Sequence, residues 1–540
     1  MKKFLIGLAT LLVLAIAIVL YRMNSSSTAP TATIATGQQN AYSLNFDSTK
    51  YTTGTIVVSG QTIAYRAFEN IVYVQHPADV KYEVMNIYVP EAYYQGQSIN
   101  GYTAANAPVL FQNQVGGYMP STPGTIDNKI VAGQWGNEQK SGDTSKAPDA
   151  NTFGPQGPGL SGDMKQGVPG GMMGDRPNTI AEALAHGYVV ASPGTRGRTT
   201  QDASGKYTGK APDVIVDLKA AVRYLHYNDA SIPGDSNKII SNGTSAGGAV
   251  SALLGASANS SLYDSYLTKL GAAPVTDSIY AVSSYCPITN LENADTAYEW
   301  LLSGVNSYSS RGSSTANMMT TDQISLSQLL SSNFPAYLNS LGLKDSSGNI
   351  LTLDKTGNGS FKKLLKTYII QSAQIALDTK ADDLSKYSWI TIKKGKVTDI
   401  NLDKYITQYL KRMKTTPAFD SLDLSSPETS LFGTETLSAQ HFTQFGQEHS
   451  TVTTGTLADS GIIAIMNPMT FVSTSTTMPH YWRIRHGAKD SDTAVAVPLI
   501  LSTVLQNHGY SVDFQIPWTQ GHGGDYDLPD LFTWIDGIVK

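Results

Sequence analysis

Residues 237–258 read NKIISNGTSAGGAVSALLGASA, and the fold turns on how this stretch is read. An apolar, strand-like run leads into Gly243-Thr244-Ser245-Ala246-Gly247, and an alanine-rich helical run follows. G-x-S-x-G alone is a weak signal in a chain rich in glycine and serine. Its position is the informative part. Small residues around the serine permit a sharp, strained strand-to-helix turn that exposes Oγ at the sheet edge. The N-terminus of the helix behind it favours developing negative charge. The alternative is a glycine-rich turn without chemistry.

The surroundings supply a matching frame. Apolar strand candidates recur at 84–90 (VMNIYVP), 107–114 (APVLFQNQ), 187–194 (GYVVASPG), 237–243 and 278–287 (SIYAVSSYCP). Helical patterns lie between them. In PDVIVDLKAAVRYLHYN, Ile215, Leu218, Val222 and Leu225 recur at helical spacing behind Pro212. This alternation predicts an α/β fold with a mostly parallel sheet flanked by helices. From about 289 to 460 the strand pattern stops. Helices are predicted there at DQISLSQLLSSNFPAYLNSL, FKKLLKTYIIQSAQIAL and DKYITQYLKRM. Strands resume at 480–487 (HYWRIRHG) and 511–518 (SVDFQIPW), and LPDLFTWIDGIVK reads as the last helix. The expected organisation is therefore a sheet domain, 41–288 and 461–540, interrupted by a helical insertion over 289–460. A Gly-, Pro- and Met-rich stretch at 135–178 reads as a long loop.

A serine needs a base and an orienting acid, which in such a fold follow it in the order acid, histidine. QGHGGDYDLPDLF places His522 between the last strand and the last helix, the place of the base. RHGAKDSDTAV (485–495) carries two carboxylates behind a strand. Asp490 closes H-G-x-x-D, where the acid is expected, and His486 reads as a residue holding that turn. For the oxyanion, the amide of Ala246 and those of Gly116 and Gly117 in QVGGYMP are the candidates.

Composition narrows the partners. The chain has 540 residues, 41% hydrophobic and 15% charged, with net charge −5, so nothing basic suggests nucleic acid or an anionic membrane surface. No H-E-x-x-H is present, and GDRPN and GTRGR are not phosphate loops, so neither metal nor cofactor is expected. The single cysteine, Cys286, reads as a small buried hydrophobe. Lys2 and Lys3 precede 17 apolar residues, FLIGLATLLVLAIAIVL. Residues 1–22 therefore read as an export signal or membrane anchor, and 23–40 as a linker, placing the rest outside the cell.

GTSAGG at the elbow, QVGGYMP, CPITNLENADTAYEW, WRIRHGAKDSDT and PWTQGHGGDYDLPDLFTWI together resemble bacterial tannases (tannin acyl hydrolases). The likeness runs through most of the chain beyond about residue 80. The fungal pattern of cysteines flanking serine and histidine is absent. The resemblance implies an α/β-hydrolase with a helical lid that cleaves galloyl esters of hydrolysable tannins to gallate and an alcohol. It implies Ser245, Asp490 and His522 as catalytic residues. It implies that Lys414, Glu428 and Asp492 bind the gallate ring hydroxyls and that Ile288 and Pro427 sandwich the ring. Each has a plainer reading: Lys414 as a cation at a helix C-terminus, and Ser426-Pro427-Glu428 as an ordinary helix start. A feruloyl or general carboxylesterase is the competing enzyme, and a catalytically degenerate surface binding protein is the competing class.

Removing residues 1–35 is expected to leave a soluble, active esterase. An aggregated or inactive product on gel filtration and ester assay would contradict that boundary.

Overall fold

The structure, a computed structural model, describes residues 41–127, 178–309 and 315–540. The predicted N-terminal segment and most of the 135–178 loop lie outside these residues. Tyr42–Lys540 forms one compact unit.

Its centre is a nine-stranded sheet. In chain order the strands are β1 (Thr52–Val58), β2 (Gln61–Val72), β3 (Val84–Pro90), β4 (Pro108–Gln112), β5 (Val189–Pro193), β6 (Asp235–Thr244), β7 (Ala281–Tyr285), β8 (Tyr481–Arg485) and β9 (Ser511–Gln515). Their spatial order is β1-β2-β3-β5-β4-β6-β7-β8-β9. β1, β2 and β3 pair antiparallel at one edge, and from β5 to β9 every pairing is parallel. The strands show why. β3, β4, β5 and β7 are buried throughout, as strands covered on both faces must be. β1 alternates exposed and covered residues and turns into β2 through Ser59 and Gly60, both at positive φ, a two-residue hairpin.

Helices α1 (Thr179–His186), α2 (Asp213–Tyr227), α3 (Ala246–Ala256), α7 (Ala496–Asn507) and α8 (Leu528–Val539) flank this sheet, while α4 (Leu291–Leu301), α5 (Thr321–Ser340) and α6 (Ser360–Asp378) belong to the chain between β7 and β8. That chain is not purely helical. It also holds two antiparallel hairpins, Ser307–Tyr308 with Asn317–Met318 and Ile390–Lys393 with Lys396–Ile400. Their strands are short and largely exposed, so they leave no apolar alternation in the sequence. The helix predicted at DKYITQYLKRM is one α-turn, Leu402–Lys404, followed by a π-helix, Tyr405–Leu410. Tyr405, Ile406, Tyr409 and Leu410 are all buried there, and Tyr409 stacks on Trp518 with ring centroids 4.6 Å apart. Lys411, at φ 62, ends it.

The insertion is tied to itself by buried charge. Arg412 and Glu299 of α4 form a fork-like pair, Nη1–Oε1 2.9 Å and Nη2–Oε2 2.6 Å, with both side chains fully buried. Thr416 Oγ1 donates to the same carboxylate at 2.7 Å. Removing one partner of such a pair strands the other charge and costs about 3–5 kcal/mol, whereas replacing both with apolar groups is often neutral. Arg412→Met is therefore expected to lower stability by that amount in urea unfolding. The double variant Glu299→Leu/Arg412→Met is expected to recover most of the loss. Equal losses in both would show that the charge pairing does not control stability here.

Candidate active site

β6 delivers Ser245 at the C-terminal edge of the sheet. The serine is half-buried and holds φ 60, ψ −121, a conformation outside the ordinary strand and helix wells. Its amide donates to the Tyr285 carbonyl at 2.9 Å, and the wholly buried α3 begins at the next residue. Asn113, just past β4, locks the neighbouring loop against this helix start. Its Nδ2 donates to the carbonyls of Asn242 (3.0 Å) and Gly247 (3.2 Å), and its Oδ1 accepts from the Val115 amide at 3.2 Å. Gly116 and Gly117 follow directly. Among the described residues their amides meet no acceptor, so they remain available beside the amide end of α3.

His522 and Asp490 meet on two loops that touch. Asp490 Oδ2 lies 2.9 Å from His522 Nδ1. Asp490 also accepts from the amides of Asp492 (2.9 Å) and Thr493 (3.2 Å) and is fully buried. Gly487 allows the two loops to approach, since a Cβ there would fall 2.4 Å from the carbonyl oxygens of Gln520 and Gly521. Gly524 lets the histidine loop rest on the elbow, because a Cβ would collide with Thr244. Asp525 anchors that loop to the strand ends, accepting from Asn242 Nδ2 (2.8 Å), Gln112 Nε2 (3.1 Å) and Thr179 Oγ1 (2.7 Å). Among the described residues no hydrogen bond joins Ser245 Oγ to His522. Such contacts commonly tighten only around substrate.

A second polar cluster stands next to His522. Lys414 Nζ lies 2.8 Å from Asp492 Oδ1, and Asp492 Oδ2 lies 3.9 Å from His522 Nε2. Lys414 is not a helix-terminal cation, since the π-helix ends at Leu410. It is placed by Tyr298, whose buried hydroxyl accepts from the Lys414 amide (3.1 Å) and donates to the Ser491 carbonyl (2.8 Å). The insertion thereby grips the loop carrying both aspartates, and Tyr405 Oη adds a bond to the Ala488 carbonyl at 2.6 Å. Pro427 and Glu428 open the helix Pro427–Leu431, which is capped by Ser426 Oγ accepting from Thr429 at 3.1 Å. Glu428 is buried, and its charge and that of Lys414 act on each other. Burial disfavours the lysine cation, but Asp492 and Glu428 outweigh it and raise Lys414 above its ordinary value. Lys414 serves two carboxylates, and Glu428 is the loser: burial pushes its carboxyl up, Lys414 and Arg198 only partly offset that, and Asp492 adds to it. The Ile288 carbonyl accepts from Tyr118 Oη at 3.4 Å, linking this pocket to the Gly116–Gly117 loop.

Two arrangements were not legible in the sequence, and a third, at His486, was legible only in part. Cys286 is buried as expected, but it lies against the site rather than in the core. Its thiol donates to the Gly523 carbonyl at 3.1 Å, and Cys286, Asp490 and His522 offer ligand atoms within 4.8 Å of one another. Burial raises the thiol above its usual value, which suits a neutral neighbour of the histidine and not a nucleophile. His486 is fully buried with Nδ1 3.7 Å from Asp490 Oδ2, and burial lowers its imidazolium below the ordinary value. It packs behind the acid as the sequence suggested, yet neither ring nitrogen has a hydrogen-bond partner among the described residues. Finally, Ser450, His441 and Asp420 form a second serine–histidine–aspartate line, at 2.9 and 2.7 Å. Ser450 is not on an elbow. Its hydroxyl is within 3.2 Å of the Val452 carbonyl, and Gly455 packs over it so closely that a Cβ would fall 2.5 Å from Oγ. This line is a loop clasp, not an open site.

Comparison with known proteins gives a consistent answer. A family model described as BD-FAE matches residues 162–338. The chain is similar to tannin acyl hydrolase from Lactobacillus plantarum, with 44% identity and a TM-score of 0.80, covering 92% of this chain and 99% of that one. It is similar to a tannin acyl hydrolase in complex with ethyl gallate, with 45% identity and a TM-score of 0.79 over the same shares. It is also similar to Fusobacterium nucleatum tannase, with 47% identity and a TM-score of 0.80, covering 92% of this chain and all (100%) of that one. No curated protein matches.

The electrostatics of the histidine give a pH test. Burial alone lowers the His522 imidazolium, but the Asp490 carboxylate outweighs it and holds it well above its ordinary value. A general base must be neutral, so kcat/KM on a simple ester is expected to rise with pH through this raised value. Asp490→Asn removes the stabilising charge. It is expected to move that limb to lower pH and to cut the plateau by about 10⁴-fold. An unmoved limb in Asp490→Asn would mean another group controls it.

Proposed function

The chain belongs to the tannin acyl hydrolase family, and on that membership we propose that it hydrolyses galloyl esters through Ser245, with His522 as general base and Asp490 as the orienting acid. One observation carries the reading. The two ring nitrogens of His522 face different carboxylates, Asp490 on the Nδ1 side at 2.9 Å and the Lys414-paired Asp492 on the Nε2 side at 3.9 Å. The base therefore stands between an orienting acid and a polar pocket suited to a polyhydroxylated ring.

In this mechanism His522 Nε2 takes the Ser245 proton as Oγ adds to the ester carbonyl. The amide of Ala246, with one from Gly116 or Gly117, receives the oxyanion. Collapse expels the alcohol, protonated by the imidazolium, and leaves a galloyl ester on Ser245. Water activated by His522 then releases gallate. Lys414 donates to ring oxygens, Glu428 and Asp492 accept from phenolic hydroxyls, and Ile288 and Pro427 enclose the ring faces. The ethyl gallate held by a solved relative supports this substrate class. We assign residues 289–460 as a lid domain, since they bring Lys414, Glu428 and Pro427 to a serine carried by the sheet. Export or surface anchoring by residues 1–22 fits an enzyme acting on extracellular tannins.

A site built to bind substrate hydroxyls rejects analogues lacking them by about 10⁴–10⁵-fold. Methyl gallate is therefore expected to exceed methyl benzoate greatly in kcat/KM, and methyl ferulate is expected to be poor. Asp492→Asn is expected to lose about 1.5–3 kcal/mol of transition-state stabilisation on gallate esters. It should leave labelling of Ser245 by a small fluorophosphonate nearly unchanged. Comparable turnover of methyl benzoate and methyl gallate by the intact enzyme would overturn the ring-hydroxyl reading.

A further inference from the structure

The loop between β5 and α2 touches both halves of the site. On one side it holds the Gly116–Gly117 turn: the Arg198 amide donates to the Tyr118 carbonyl at 2.8 Å, and Arg198 Nε donates to the Gly117 carbonyl at 2.9 Å. Thr195 and Ser121 exchange backbone hydrogen bonds beneath it. On the other side the same loop clasps the segment carrying Glu428. The Ala211 amide donates to the Leu431 carbonyl at 2.9 Å, and buried Lys210 places Nζ 2.8 Å from the Ser430 carbonyl and 2.7 Å from that of Ser438. The Arg198 guanidinium is a cation set between these two attachments.

We propose that Arg198 is a positioning residue that couples the two halves of the site: its Nε–H fixes the Gly117 carbonyl and so aims the oxyanion amides, while its charge faces Glu428 and holds that carboxylate ready for a ring hydroxyl. The charge pattern agrees. Arg198 counteracts the rise of the buried Glu428 carboxyl, and Glu428 in turn supports the Arg198 cation against burial. Burial and the charge of Arg198 together push Lys210 down to about 7, which places the guanidinium field at this junction. With Asp492 and Lys414, an alternating series of charges runs from His522 through the ring pocket to the oxyanion loop.

This inference rests on the ring-hydroxyl reading above, and two substitutions separate its parts. Arg198→Gln keeps an N–H donor for the Gly117 carbonyl and removes the charge. Arg198→Lys keeps the charge and removes the planar fork. Two readouts follow: the rate at which a small fluorophosphonate labels Ser245, which needs the oxyanion amides but no ring, and the ratio of kcat/KM for methyl gallate over methyl benzoate. The expected result is crossed. Arg198→Gln labels near the wild-type rate but loses about tenfold of the gallate preference, and Arg198→Lys keeps the preference but labels about tenfold more slowly. Combining Arg198→Gln with Glu428→Gln should cost no more preference than Glu428→Gln alone. Equal effects of both substitutions on both readouts, or no effect on either, would overturn the coupling, and a fully additive double variant would do the same. A wild-type enzyme without preference for methyl gallate would instead defeat the ring-hydroxyl reading itself, before any variant is compared.

Discussion

Charge cannot be buried alone, and this constraint holds the site together. Three of the segments around the proposed site residues are anchored through buried charged side chains. Arg412 and Glu299 set the chain two residues before Lys414. Asp295 accepts from the amides of Ala418, Phe419 and Asp420 at 2.6–2.9 Å and so fixes the turn that leads towards Glu428. Arg483 and Arg485, both buried on β8, reach Asp530 at 2.8 and 3.0 Å, which pins the start of α8 just after the His522 loop. For Arg412 and Glu299, both fully buried, a low-dielectric surround makes the pair costly to break, and together these bonds tie down loops of irregular backbone.

The same constraint divides the labour between the sheet and the insertion. The sheet carries Ser245, Asp490 and His522, the residues of the proposed triad, on the loops after β6, β8 and β9, where parallel strands end on one edge. The insertion supplies Lys414 and the Glu428 helix, and it grips the sheet loops through Tyr298 and Tyr405. Asp490 and Asp492 belong to one turn and lie against different nitrogens of His522: the first accepts from the amide of the second while bonding Nδ1, and the second, 3.9 Å from Nε2, pairs with Lys414 of the insertion. Two residues of chain thus separate the two roles proposed for these carboxylates.

Much of this was legible in the sequence because it rests on local rules. The elbow, the strand-end position of His522 and H-G-x-x-D each need particular small or ionisable residues at short spacing. The strands covered on both faces announced themselves through continuous apolar runs such as VMNIYVP. What escaped depended on contacts between distant segments. Cys286 ends an apolar strand run, and nothing nearby in sequence indicates His522 against its thiol. Arg198 sits in GTRGR, unremarkable until Tyr118 and Gly117 are folded beneath it; an arginine between small residues at the end of a central strand was the available signal. Lys414 looked like the cation of a helix terminus because the π-turns of Tyr405–Leu410, which end that helix early, are imposed by aromatic packing on Trp518.

Ser245 has a consequence for how such a protein can change. At φ 60 a residue with a Cβ is held in a well it would not choose, at a cost of about 1–3 kcal/mol. Glycine adopts that conformation without penalty. Backbone relaxation and the hydroxyl that the proposed reaction uses are therefore opposed at this one position, since the substitution that relaxes the backbone also deletes the hydroxyl. A Ser245→Gly chain would therefore keep the shape of the elbow while losing the hydroxyl, so the turn itself does not require a serine.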